Sequence, residues 1–134
     1  MFDDYSLELL PDIIHLYNVH PQFKTTVLGA ILPLLWEDEF FSITQSNDEV
    51  SFVIHSKYDA KLQKLNCVYK LEQEYRVVKL YQVNHQIDEL GIVAQFATTF
   101  KEYGIPILYI NSFSNNFILI PSCELHKLDG LIEF

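Results

Sequence analysis

Cysteine and glycine are scarce: two and four residues respectively in a chain of 134. Cys67 and Cys123 stand alone, with no CxxC pair, so neither zinc spacing nor a disulfide framework is present. They read as two reduced, buried thiols of a cytoplasmic protein. Four glycines compose no GxGxxG, GxSxG or P-loop, which excludes the phosphate cradles and nucleophile elbows built on those motifs. His15, His20, His55, His85 and His126 show no HxH or HExxH spacing, so no metal and no cofactor is implied. Basic residues are short as well, with 9 Lys and Arg against 18 Asp and Glu and a net charge of −9. An acidic surface without a basic block repels phosphate backbones and anionic leaflets, so neither nucleic acid nor a membrane is an expected partner. The opening residues Met1–Tyr5 lack the basic region of a signal peptide. The longest uncharged stretch, 20 residues from Gly104 to Cys123, is broken by Pro106 and a polar centre from Asn111 to Asn116. It reads as two strands about a turn rather than a membrane span.

What is present is core-forming material: 49% hydrophobic and 14% aromatic residues, too much for a disordered tail. An internal repeat organises it. Leu16-Tyr17-Asn18-Val19 returns as Leu80-Tyr81-Gln82-Val83, each followed by a turn-prone stretch and a helical pattern. The first helix is expected from about Phe23 to Trp36, with Val27, Ala30, Ile31, Leu34 and Leu35 on one stripe and Pro33 as a kink. The second is expected from about Leu90 to Tyr103, with Leu90, Val93, Ala94, Ala97 and Phe100 on its stripe. Strand-like pairs follow each: Phe40–Thr44 with Val50–Ile54, and Ile105–Ile110 with Phe117–Ile120. Short helices over Tyr58–Leu65 and Cys123–Leu131 complete a β-α-β-β-α order twice, and Cys67–Tyr75 supplies a closing strand. The fold class is α+β, two tandem ferredoxin-like (βαββαβ) units over residues 1–70 and 71–134, sharing one compact body. Ser6–Leu10 is available to complete the second sheet.

Catalysis finds no constellation. Glu37-Asp38-Glu39 reads as a solvated loop rather than a carboxylate pair at work on protons. The turn His85–Asp88 and the helix start that follows carry more chemistry. Asp88 stands at an N-cap position, and Gly91 falls in the first turn, where it costs roughly 0.5–1 kcal/mol relative to alanine. Free amides at a helix start suit a carboxylate, and Glu89 suits an ammonium or guanidinium. Together these are the two groups of a free amino acid. The same spacing also describes a capped helix with a packing glycine, and Asn111–Asn116 an ordinary hairpin loop.

At these two turns the chain resembles the ACT domains of the CASTOR arginine-sensor family. The helix start Asp88-Glu89-Leu90-Gly91-Ile92-Val93-Ala94-Gln95 is similar to that family's Asp-Glu-x-Gly-Ile-Val-Ala-Gln. The strand and turn Asn111-Ser112-Phe113-Ser114-Asn115-Asn116-Phe117-Ile118-Leu119-Ile120-Pro121 is similar to its Ser-Thr-Phe-x-x-Asp motif, and Phe40-Phe41-Ser42-Ile43-Thr44 resembles its opening unit. The resemblance implies ACT-type units and a ligand pocket lined by Glu89, Leu90, Gly91 and Val93, with Ser112, Phe113 and Asn116 on its other edge. Gly91 and Ile92 of a second copy would face it, because the chain resembles one half of a longer sensor. Asn116 replaces the family's acidic residue and Asn111-Ser112 its Ser-Thr pair, so arginine does not carry over as the ligand. The expectation is a non-enzymatic regulatory or sensor protein that binds a small molecule, a free amino acid, at a unit or dimer interface. It would be a homodimer that signals to a regulatory protein partner, with a link to the TOR nutrient pathway implied by the resemblance. The alternative is a ligand-free interaction or scaffold module.

Overall fold

Two long strands run through the sheet, and each takes up two segments that the sequence presents separately. The computed structural model of the protein describes the backbone at residues 5–36, 39–82, 89–113 and 115–129. Side chains are described at 6–35, 39–81, 93–113 and 115–129. In chain order the elements are β1 (Tyr5–Val19), α1 (Lys24–Ile31), β2 (Ser42–Gln45), β3 (Val50–His55), α2 (Asp59–Gln63), β4 (Val68–Gln82), α3 (Glu89–Glu102), β5 (Leu108–Asn111) and β6 (Asn116–Pro121). The sheet order is β2-β3-β1-β4-β6-β5. Contacts group the residues into two units, Asp12–Glu74, and Met1–Pro11 with Tyr75–Phe134. Residues 1–11 therefore group with the later part of the chain, whereas the sequence division placed them in 1–70. The reason is the length of β1 (15 residues), whose first half carries Leu7 and Leu9 onto the core of the Tyr75–Phe134 segment.

In the Asp12–Glu74 unit, β3 pairs antiparallel with both β1 and β2, placing Tyr17 and Ile43 on either side of Phe52. The period-2 alternation of strands puts Tyr17, Val19, Phe52 and Ile54 on one face, where Val27 and Ile31 of α1 and Leu62 of α2 bury them. The Tyr17 and Phe52 rings stack with centroids 5.2 Å apart. His20 opens the helical segment: its Nδ1 accepts from the Gln22 amide at 3.2 Å, with Pro21 in the first turn, where its missing N–H leaves nothing unpaired. α1 stops at Ile31 and Leu32–Trp36 continues as a 3-10 turn, because Pro33 has no N–H for an α-helical bond and its ring crowds the preceding turn. That shift of winding turns Leu35 outward, so it leaves the expected stripe at 43% exposure.

In the other unit, β6 pairs antiparallel with β4 and β5, with Val78 opposite Ile118 and Tyr109 opposite Ile118. Both neighbours oppose β6, so β4 and β5 are parallel to each other, and α3 joins them as a β-α-β crossover with β6 between. This is the ferredoxin-like arrangement. The buried stripe of α3 differs from the expected one. Phe96, Thr99 and Phe100 are buried against Val78, Leu80, Ile118 and Ile120, whereas Val93, Ala94 and Ala97 are exposed. Two stacked phenylalanines, 6.3 Å between centroids, bury far more area than alanines a few positions away. Thr99 meets its burial by donating to the Gln95 carbonyl at 2.8 Å. Gly104, at φ +69°, closes α3 by a left-handed turn in which the Ile105 amide reaches the Phe100 carbonyl at 2.9 Å.

The closing strand expected at Cys67–Tyr75 is the first half of β4, and the expected short helices are shorter or tighter: α2 after a 3-10 turn, and a 3-10 segment Ser122–Leu128. Both thiols are free; Cys67 is half-buried and Cys123 exposed, which corrects the expectation that both are buried.

Candidate functional site

The registers place the two motif-bearing segments at one end of one sheet. β4 pairs with β6 so that Leu80 stands opposite Asn116, two residues before β4 ends at Gln82. Glu89 is the first residue of α3, the next element after β4. β5 is parallel to β4 and ends at Asn111, paired with Asn116. The α3 start and the turn between β5 and β6 therefore share the end of the sheet at which β4 finishes.

The turn itself is a tight hairpin. The Ser112 amide donates to the Asn115 carbonyl at 2.8 Å, and the Asn115 amide donates back to Ser112 Oγ at 3.2 Å. The hairpin between β2 and β3 repeats the closure, with the Ser46 amide on the Glu49 carbonyl at 2.9 Å and Ser46 Oγ on Asp48 Oδ1 at 2.7 Å. Phe113 projects from the turn with its side chain wholly in water. Asn116 is its opposite: 6% exposed, and in the same alternation as Ile118 and Ile120, which puts it on the face that α3 covers. A buried amide at the helix-bearing end of a sheet is a directional hydrogen-bonding group in an apolar setting.

Of the residues singled out in the sequence, Glu89, Leu90, Gly91 and Ile92 form the first turn of α3, and Val93, at 36% exposure, follows them. Ser112, Phe113 and Asn116 lie on the hairpin at that same end of the sheet. The expected N-cap Asp88 and the turn from His85 lie outside the described residues, as do Glu37 and Asp38. Glu39 does not stand free: its Oε1 takes the Lys57 ammonium and its Oε2 lies 3.4 Å from the Tyr58 hydroxyl. The Lys57 ammonium holds the Glu39 carboxyl below the usual carboxylate range.

One polar cluster went unread in the sequence. Asp59, the first residue of α2, accepts a hydrogen bond from the Tyr17 hydroxyl through Oδ1. Its Oδ2 lies 2.8 Å from His15 Nδ1, without hydrogen-bond alignment, and 3.9 Å from Lys70 Nζ. Burial first, and then the Asp59 carboxylate, hold the Tyr17 phenol above its ordinary range. The His15-x-Tyr17 spacing, two polar side chains on one strand face, was the available signal. Nothing in the sequence pointed to their partner Asp59, 42 residues beyond Tyr17. The cluster ties α2 to β1; among the described residues, no group of His, Cys, Asp and Glu has the geometry to hold a metal ion. No helix among the described residues is long and apolar enough to cross a membrane.

Against known proteins, residues 70–127 match the family model of the ACT domain. A protein from Agrobacterium tumefaciens shares the fold at a TM-score of 0.71 and 24% identity, over 95% of this chain and 85% of that one. A Vibrio cholerae protein of unknown function aligns at 0.68 and 16% identity, over 97% and 89%. The regulatory subunit of aspartate kinase from Thermus thermophilus, in a ligand-free form, aligns at 0.63 and 11% identity, over 96% and 97%. No curated protein sequence matches significantly. At these identities the solved structures speak for the fold alone. The chain has an α+β, ACT-like fold with an antiparallel sheet and helices, and an ACT domain is found over residues 70–127.

Proposed function

We propose that this protein is a non-enzymatic regulatory subunit that binds a free amino acid at the start of α3, through two ACT-type units of which residues 70–127 carry the matched one. The observation that carries the reading is the registration of Asn116 against Leu80, which brings the hairpin to the sheet end where α3 begins. Backbone amides of the first turn, near Leu90 and Gly91, take the ligand carboxylate, helped by the positive end of the helix dipole. Glu89 takes the ammonium, and Leu90, Ile92, Val93 and Ser112 complete the lining. Asn116 offers an amide where a guanidinium would need a carboxylate, so the ligand side chain is neutral. Likeness to a subunit described as regulatory in aspartate kinase supports the same reading.

The site is completed by a second copy of the chain. Phe113 supports this, because a fully exposed aromatic side chain at the tip of a hairpin gains most by being covered. Ligand occupancy then favours one arrangement of the dimer and with it the surface offered to a protein partner. Thermal melting across the twenty amino acids tests the proposal. A ligand at 100 times its dissociation constant adds about 2.7 kcal/mol of stability, a clear rise in melting temperature. Twenty unmoved curves at millimolar concentration leave the scaffold reading in its place.

A further inference from the structure

The face of the Asp12–Glu74 unit opposite α1 and α2 carries a groove that the proposed amino-acid site does not use. It is an open groove of about 310 Å³, lined by Leu16, Asn18, Glu49, Ser51, Tyr69 and Leu71, with Tyr17 at its floor between Leu16 and Asn18. That volume lies in the range of roughly 300–1,000 Å³ typical of small-molecule sites. Strand alternation builds it: Tyr17 and Phe52 turn to the helices, so Asn18 and Ser51, paired directly across β1 and β3, turn the other way. Val68 likewise packs with the helix-side core, so Tyr69 and Leu71 stand on the open face of β4.

Two features distinguish this groove from an idle patch of sheet. The side chains of Asn18, Ser51 and Glu49 have no hydrogen-bond or ion-pair partner among the described residues, although all three line one cavity. The Glu49 carbonyl closes the Ser46 turn, which fixes the residue while leaving its carboxylate unengaged. Apolar surface is the second feature. Tyr69 is 70% exposed and Leu71 38%, an unusual display on a strand. Among the described residues Glu49 is the sole charged one of the lining, with Asp48 its neighbour, and no lysine or arginine lines the groove. Anions are therefore repelled and a single positive charge is attracted.

We propose that this groove binds a small organic cation, an ammonium carried on an apolar body. The ammonium pairs with the Glu49 carboxylate, and Asn18 and Ser51 offer oxygen acceptors for its remaining N–H groups. The apolar body lies on Leu16 and Leu71 against the ring of Tyr69, whose face also attracts the charge. The site uses no residue of the α3 start, so it stands or falls independently of the amino-acid proposal.

Titration of the ¹⁵N-labelled 134-residue chain with phenethylammonium chloride tests it, with phenethyl alcohol and 3-phenylpropionate as the neutral and anionic counterparts. The expected result is saturable shifts of the Asn18, Ser51, Tyr69 and Leu71 amides with the cation alone. Glu49→Gln should weaken binding about tenfold, and Tyr69→Leu by a smaller factor; both residues are exposed, so both variants stay folded. No saturable shift at millimolar cation, equal binding of the neutral or anionic counterpart, or indifference to Glu49→Gln overturns the proposal. Concentration-dependent broadening of these amides without any ligand overturns it too, because a second copy would then occupy the groove.

Discussion

Asn116 sits directly across the sheet from Leu80, 6% exposed, on the face that α3 covers. That pairing decides which end of the sheet the hairpin reaches, and in the proposed site it presents an uncharged amide, not a carboxylate, to the ligand side chain. Asn116→Asp should therefore shift preference toward arginine or lysine, by about tenfold against a neutral amino acid, since charge-assisted bonds contribute roughly 1.5–3 kcal/mol. The same change should lower the melting temperature of the ligand-free protein, because a buried carboxylate then lacks its partner. Calorimetric titration with arginine and a neutral amino acid reads the first effect, and thermal melting the second.

Gly91 lies in the first turn of α3, where alanine is the better helix former by roughly 0.5–1 kcal/mol. Gly91→Ala should stabilise the ligand-free protein and Gly91→Leu should abolish the amino-acid response, the side chain filling the approach to the backbone. Melting curves with and without ligand separate the two.

Tyr17 gives the fold a pH dependence of definite sign. Its folded phenol is held protonated, well above the unfolded value of about 10. The folded state then keeps a proton that the unfolded state releases, so this contribution to stability is complete below about pH 10 and declines above it. Tyr75, raised by burial, adds to the same alkaline loss. Tyr17→Phe should cost about 1–3 kcal/mol near neutrality, as Asp59 loses its donor, and should flatten the alkaline decline. Urea midpoints from pH 7 to 11 measure both.

Phe100 is fully buried and stacked on Phe96, at the centre of the core of its unit. Phe100→Ala should cost about 3–5 kcal/mol and leave the Tyr75–Phe134 segment largely unfolded at 37 °C. Near-ultraviolet dichroism and proteolysis would report it.

Much of this architecture could be read in the sequence, because alternation and turn residues act locally. Asn111–Asn116 and the Ser46–Glu49 turn announce hairpins, and the Leu-Tyr-x-Val repeat announces two strands followed by helices. The face of α3 could not be read so simply. Ala94 and Ala97 fit a helical stripe as well as Phe96 and Phe100 do, and only the volume available under the helix chooses between them. The lengths of β1 and β4 were hidden for another reason. Neither Pro11 nor the Glu74-Tyr75 junction forms a turn, so two expected strands merge into one each time. At the site, Glu89–Val93 and Ser112–Asn116 were legible as motifs, but their shared end of the sheet follows from the β4–β6 register, a pairing across some 40 residues.

A homodimer should show twice the 15.7 kDa chain mass in light scattering. Phe113→Ser should raise the dissociation constant of the proposed dimer about tenfold, by removing the exposed ring proposed to lie under the second copy.

Hydrogen exchange with and without the most stabilising amino acid reads the proposed site itself. The ligand should slow exchange at the amides of Glu89–Val93 and of Ser112–Asn116 together, and Gly91→Leu should remove both effects. Protection confined to other segments, or an amino acid that stabilises the protein while both of these exchange unchanged, would contradict it.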